Sequence, residues 1–343
     1  MHQMSNQKLQ EARINKYDEY YTRIEDISSE LSHYTDFLKD KTIYCNCDNP
    51  YKSNFVKYLI FHFNDFKLKR LIATCYYPNA LSGNNRLLFK IKRSEFAYKL
   101  DITETPDTIS DSSYKDYIDS NISYLARNGD FRSPECIELL KQSDIIISNP
   151  PYSLLGEYID TLLYYNKDFI FLGNKNAISY KNVFKAIKDN RLYIGYTSMS
   201  KDYLFRVKKH FAETLLNTEK EDSAYTIVNG EVLARVQSVW FTSFRLQDRK
   251  PLNLIHKYSP DTYMRYDNYD AIECSNVKDI PYDYNGVIGV PISFLNKYNP
   301  DQFEIVDMNP HFITSETKIK QLSLKSYGKR DPYVRILIKR KQN

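Results

Sequence analysis

Long apolar runs are missing from this chain of 343 residues, and none approaches the roughly 20 consecutive apolar residues of a membrane span. The opening MHQMSNQKLQEARINKYDEYYT has no apolar h-region, so a secretory signal is not expected. Cysteine is sparse. Five residues (Cys45, Cys47, Cys75, Cys136 and Cys274), scattered and odd in number, argue against a disulfide framework and for reduced thiols in a cytoplasm. Cys45 and Cys47 stand in Cys-x-Cys spacing within a strand, with no second pair or nearby His, so no zinc site is expected. No internal repeat is visible, which argues against solenoid and propeller arrays. These absences together predict a soluble cytoplasmic protein with no membrane partner.

What is present lies in the globular range, with 42% hydrophobic and 27% charged residues. Net charge is only +5, but its distribution is uneven. From His311 to Asn343 nine basic residues (Lys318, Lys320, Lys325, Lys329, Arg330, Arg335, Lys339, Arg340 and Lys341) face Glu316 and Asp331, a net +7. That asymmetry suits a phosphate-facing surface, and a solvated basic tail is the plainer alternative. The 31 tyrosines suit base stacking, although an AT-rich coding bias gives the same count.

Residues 5–39 read as polar helical material. The spacing then predicts strands over 41–47, 68–76, 169–173 and 192–196, plus one at Ile145–Ile147, and helices over 53–63, 134–142, 153–165 and 180–190. Residues 78–128 read as polar insertions with a helix near 113–127. Strand and helix alternate as in crossover units, which predicts an α/β fold: a doubly wound, mostly parallel sheet with helices on both faces. Beyond residue 224 the pattern changes to a hairpin turning on Asn229-Gly230, then a strand over 239–244 with the only tryptophan. Short strands and loops follow. The expected division is 1–245 and a smaller region over 246–343.

One stretch concentrates chemistry. Ile145-Ile-Ile147 runs into Asn149-Pro150-Pro151-Tyr152, and adjacent prolines, with fixed φ and no N–H, must stop the strand. Ligands of open α/β sheets bind beyond the carboxyl ends of the strands, where this corner would sit. The prolines lock the backbone so that the Asn149 side-chain oxygen and the Pro150 carbonyl converge as paired acceptors, which suits an NH₂ group. Tyr152 offers a flat ring for stacking a base. Two acceptors stabilise the positive charge that develops as a weakly nucleophilic exocyclic amine attacks. A base within a duplex reaches such a pocket only when flipped out.

This signature resembles motif IV of amino-methyltransferases that use S-adenosylmethionine. The whole chain resembles the EcoRI-type adenine-specific DNA methyltransferase family through Lys16 to Thr22 (KYDEYYT), Tyr44 to Pro50 (YCNCDNP) with Ser53 to Phe55, and Asp144 to Ser153. The likeness continues through Trp240 to Thr242, Arg265 to Ala271 (RYDNYDA), and Gly289 to Leu295 (GVPISFL) with Lys297 to Ile305. It implies a class I methyltransferase-like fold, with 1–245 holding cofactor and catalytic pocket and 246–343 as a target-recognition and DNA-clamping region. It also implies double-stranded DNA as substrate and, for a restriction-modification system, a cognate restriction endonuclease acting on the same site. Asn149, Pro150, Pro151 and Tyr152 are then the catalytic set. Asp18, Tyr21 and Thr22 match the N-terminal cofactor motif, and Cys45, Asn46, Asp48 and Pro50 stand in the first cofactor loop, with Asp48 able to meet the cofactor's cationic end. Asp130, in Gly129-Asp-Phe131, matches the acid that accepts from the cofactor's adenine amino group, and a turn residue is the alternative. The chain departs from common pattern in lacking a Gly-x-Gly turn after the first strand and in carrying Cys75-Tyr76-Tyr77 where an acid is usual. Methylation of cytosine, of guanine in RNA or of a protein amide, and a non-catalytic DNA-binding role, stand as alternatives.

Overall fold

The computed structural model describes residues 22–77, 97–207, 209–246, 249–309, 322 and 334–341. The chain forms two compact units, Met1–Lys175 with Lys201–Phe241, and Asn176–Ser200 with Thr242–Asn343. Residues 176–200 therefore group with the C-terminal part of the chain. No helix among the described residues is long and apolar enough to cross a membrane.

The first unit opens with α1 (Ile24–Leu31), a 3₁₀ turn and the short α2 (Thr35–Leu38). Then come β1 (Thr42–Cys45), α3 (Asn54–Phe61) and β2 (Arg70–Thr74). Next are β3 (Tyr98–Ile102), α4 (Asp111–Asn121), β4 (Ile122–Tyr124), α5 (Pro134–Gln142) and β5 (Ile145–Ser148). A 3₁₀ turn over Tyr152–Leu154 leads into α6 (Leu155–Tyr164) and β6 (Asp168–Asn174). The chain leaves for the second unit with α7 (Lys181–Lys188) and β7 (Tyr193–Ile194). It returns with β8 (Tyr203–Arg206), α8 (Lys209–Thr218), β9 (Tyr225–Val228), β10 (Glu231–Val236) and β11 (Ser238–Thr242).

The strands of this unit's main sheet run in the order β4-β3-β2-β1-β5-β6-β11. Its centre is parallel: β1 pairs with β2 and β5, and β5 with β6. The unbroken apolar strands Ile145-Ile-Ile147 and Phe169 to Leu172 are fully buried, as suits parallel strands covered on both faces. Phe171 stacks on Phe241 with ring centroids 5.2 Å apart, and Tyr158 of α6 meets Phe171 edge-on at 5.4 Å. The parallel α/β core is therefore as the alternation of elements predicts.

The segment read as polar insertions holds two strands as well as a helix among its described residues. Strand β3 joins β2 antiparallel, and β4 joins β3. Arg70 fastens the first pair with two bonds of 2.7 Å to Asp101. The helix expected near 113–127 ends at Asn121, because Ile122 to Tyr124 is drawn out to pair with β3. In the separate three-stranded sheet β8-β10-β9, the hairpin turns where expected. Asn229 (φ 51°) and Gly230 (φ 79°) both take the left-handed conformation that a two-residue type I′ turn requires.

The second unit carries β12 (Ala271–Glu273), β13 (Val287–Pro291), β14 (Phe303–Asn309) and β15 (Arg335–Arg340) in the order β12-β13-β15-β14. Arg249 ties residues 176–200 into this unit by donating to the carbonyls of Ile194, Gly195 and Leu295. One basic residue of the C-terminal run is not phosphate-facing here. Arg335 is buried and ion-paired with Glu273 at 2.8 Å, in the first part of a strand that lies between β13 and β14 and is buried from Arg335 to Ile338. Lys339 and Lys341 are exposed and Arg340 is half-buried, while Lys318, Lys320, Lys325, Lys329 and Arg330 lie outside the described residues.

Candidate active site

Parallel strands deliver their carboxyl ends to one side of the sheet. The registers Tyr44↔Ile146 and Tyr44↔Ile72 place the exits of β1, β5 and β2 next to one another. Three segments expected to carry chemistry or to stand beside it gather there: the loop after Cys45, the corner after Ser148, and Cys75-Tyr76-Tyr77.

The loop after β1 is held by buried polar groups. Asn46 Oδ1 accepts from Tyr158 of α6 at 2.8 Å, and the Asp48 N–H donates to the Thr74 carbonyl at 2.9 Å. The Asp48 carboxylate accepts from Ser53 Oγ (2.6 Å), from Ser148 Oγ (2.6 Å) and from the Asn149 N–H (3.1 Å). Burial pushes Asp48 above the usual carboxylate range, and these three donors pull against that rise. Ser53 also caps α3, accepting from the N–H groups of Phe55 and Val56. Pro50 is buried, and its carbonyl accepts from Tyr114 at 2.7 Å. Asn49 Oδ1 accepts from Tyr98 at 3.1 Å, and Tyr51 donates to Asp119 at 2.5 Å. Cys45 lies at the strand end, and burial raises its thiol and that of Cys47 well above the ordinary value.

At the corner Asn149 and Pro151 are half-buried, and Pro150 and Tyr152 are buried. Pro151 takes an extended conformation (φ −62°, ψ 128°), and its carbonyl accepts from the Leu154 N–H at 3.1 Å, which starts the turn into α6. Tyr152 is only 8% exposed, and its hydroxyl shares a 2.8 Å hydrogen bond with Ser238 of β11. Burial raises this phenol, so it stays protonated at neutral pH.

The loop carrying Asp130 is seated on the exit of β2. Tyr77 N–H donates to the Asn128 carbonyl at 2.7 Å. Gly129 has φ +74°, and a Cβ there would fall 2.2 Å from the Cys75 carbonyl oxygen, so only glycine fits. The Asp130 carboxylate is gripped by Arg132, with Nε at 3.0 Å and Nη2 at 2.7 Å, and Arg132 also reaches Glu157 at 2.8 Å. Arg132 holds Asp130 below the usual carboxylate range, against the pull of burial. Thr22 is 3% exposed, and its hydroxyl has no hydrogen-bond partner among the described residues. The Thr22 carbonyl accepts from Asn54 at the start of α3 (2.7 Å). Asp18 and Tyr21 lie outside the described residues.

A family model described as "Adenine-specific methyltransferase EcoRI" matches residues 8–341. The chain belongs to that family. Type II methyltransferase M.EcoRI of Escherichia coli is 39% identical over 342 residues, covering 98% of each chain. Type II methyltransferase M.MgeORF184P of Mycoplasma genitalium is 34% identical over 344 residues, covering 96% of this chain and 98% of its own. Type II methyltransferase M.MpnI of Mycoplasma pneumoniae is 34% identical over 350 residues, covering 97% of this chain and 98% of its own. No solved structure matches the chain.

In this adenine-specific methyltransferase the fold brings Asn46, Asp48, Asn149 and Ser148 together through direct hydrogen bonds or adjacent positions. Ser148, Tyr158, Arg132 and Ser238 were given no role from the sequence, and Ser53 entered only as part of a segment that resembles the family. Only Ser53 carried a local signal, as a cap residue ahead of an apolar helix. The tyrosines Tyr98 and Tyr114, which hold the loop after β1, come from the segment read as insertions.

Proposed function

We propose that this chain transfers the methyl group of S-adenosylmethionine to the exocyclic amino group of a flipped adenine in a specific duplex DNA sequence. It acts as the modification enzyme of a type II restriction-modification system, in the cytoplasm, beside a cognate endonuclease cutting the same site. The observation that carries this reading is the Asn149-Pro-Pro-Tyr152 corner at the carboxyl ends of parallel strands, tied by hydrogen bonds to the loop after β1, in a chain of this family.

The residues present suit the cofactor. Thr22 offers a buried hydroxyl with no partner among the described residues, and the loop Cys45 to Pro50 (with Asn46 and Asp48) offers backbone groups next to a helix N-terminus. With Asp18, Tyr21 and Asp130 they form the proposed cofactor set, to which Asp48 contributes through the main chain of its loop and not through its carboxylate. When bound, S-adenosylmethionine supplies an electrophilic methyl group. Asn149 and the Pro150 carbonyl accept from the adenine amino group and stabilise the positive charge that develops on its nitrogen. The Tyr152 ring stacks on the flipped base, and its bond to Ser238 fixes the plane of that ring. Residues 1–245 supply this chemistry, while 246–343 read the target and clamp phosphates.

The test is to map methylated positions in the DNA of cells with and without the chain. N6-methyladenine at one recurring sequence is the expected result. Methylation confined to cytosine, or none, contradicts the proposal.

A further inference from the structure

One buried carboxylate joins the loop after β1 to the corner after β5. Asp48 is 4% exposed, and its charge is met by neutral donors alone among the described residues. Ser53 Oγ serves Oδ1, while Ser148 Oγ and the Asn149 N–H share Oδ2. Ser148 Oγ itself accepts from the Cys47 N–H at 3.1 Å. Cys47, Asp48, Ser148 and Asn149 thus close a ring of hydrogen bonds between two strand exits that are far apart in sequence. A carboxylate offers about four lone-pair sites, and this chain's own donors take most of them. The amide held by Asp48 belongs to the residue whose side chain faces the adenine amino group in the proposed reaction. On its other side Asn149 is followed by Pro150, whose ring restricts the conformation of the residue before it. Asn149 is held from both directions.

We infer that Asp48, together with Ser148, is a positioning pair for methyl transfer: it holds the Asn149 backbone, and so aims the Asn149 side-chain oxygen, instead of ligating the cofactor's ammonium group. This rests on the reading of Asn149 given above. A displacement of ~1 Å in a reacting group costs about a hundredfold in rate, so the effect is large enough to measure.

The test uses the full chain, labelled S-adenosylmethionine and duplex DNA free of methyladenine. Cofactor affinity comes from calorimetric titration, and the rate from single-turnover transfer at saturating cofactor and DNA. Asp48→Asn keeps an acceptor oxygen for the Asn149 N–H but loses the charge. It is expected to bind cofactor within about threefold of the parent and to slow transfer by less than about tenfold, since no opposite charge is removed from a cationic ligand. Asp48→Ala is expected to slow transfer about a hundredfold. Ser148→Ala deletes one oxygen, keeps the cofactor affinity and slows transfer by about tenfold or more, as loss of an orienting partner does. If Asp48→Asn and Asp48→Ala lose cofactor affinity equally, while Ser148→Ala transfers at the parental rate, Asp48 is a cofactor ligand and the inference is overturned. Asn149→Ala, run alongside, separates the two readings. A parental rate there removes the amino-group assignment itself. A slowed Asn149→Ala beside parental Asp48→Ala and Ser148→Ala overturns the positioning pair alone.

Discussion

At the scale of single residues, the proposed reaction divides two jobs between the ring and the hydroxyl of Tyr152. Stacking needs only the flat ring, whereas the hydroxyl is spent on Ser238 inside the protein. Tyr152→Phe is therefore expected to keep most methyl transfer but to lose about 1 to 3 kcal/mol of stability, because buried Ser238 loses its partner. A thermal melt beside single-turnover transfer checks both halves, and a phenylalanine variant as inactive as alanine would put the hydroxyl in the chemistry. Tyr152→Ala is expected to slow transfer by roughly ten- to a hundredfold, the scale of one base–aromatic stack. That loss should shrink on substrates whose target adenine is mismatched, since less unpairing is needed there. The corner was legible in the sequence because adjacent prolines after three isoleucines are a loud signal. Its supports were not, since Ser148, Tyr158 and Ser238 are common residues whose meaning comes from contacts as remote as the 100 positions between Ser148 and Asp48. Gly129-Asp130 was legible as a motif, but not the reason for its glycine, which is the approach of the Cys75 carbonyl. Gly129→Ala should unseat the Asp130 loop and weaken cofactor binding, measured by the same titration, and unchanged affinity would detach that loop from the cofactor.

Elements were legible where apolar runs or turn chemistry announced them. The central strands, α5 and the Asn229-Gly230 hairpin fall within a few residues of expectation. Strand β3 was not legible. Its sequence YKLDI mixes charge with apolar residues, and an ion pair to the neighbouring strand as well as apolar burial holds it. Burial raises the Asp101 pKa, but the Arg70 and Lys99 contacts outweigh it, and the carboxyl lies below its ordinary value. The sign follows. A depressed carboxylate adds stability above its unfolded-state pKa and loses it as pH falls through the folded one. Asp101→Asn should thus cost about 1 kcal/mol at about pH 7, and the gap to the parent should close as pH falls below the ordinary carboxylate range. Denaturant titrations at several pH values measure it. A gap independent of pH would mean that β3 is held by packing alone.

At the scale of the whole molecule, the two-unit division places residues 176–200 with the C-terminal part, which no composition shift announces, since a strand and a helix read alike in either unit. Charge was legible as a basic run, but which members face outward was not: Arg335 and Lys339 share a face of β15, and what separates them is the burial of the strand's first four residues and the pairing of Arg335 with Glu273. Lys339→Ala with Arg340→Ala should flatten the salt dependence of DNA binding by about 0.9 per lost phosphate contact. Arg335→Ala should instead leave the buried Glu273 carboxylate without its cationic partner and destabilise the protein by about 3 to 5 kcal/mol. An unchanged salt slope in the double variant would make the run a solvated surface. The central claim is that Asn149 holds an adenine amino group for methyl transfer, and single-turnover transfer from labelled S-adenosylmethionine to duplex DNA by Asn149→Ala tests it most directly. The account predicts near-parental binding of cofactor and DNA with transfer slowed by about a hundredfold or more, the scale of one lost preorganised partner. Transfer at the parental rate, or loss of cofactor binding in its place, would contradict it.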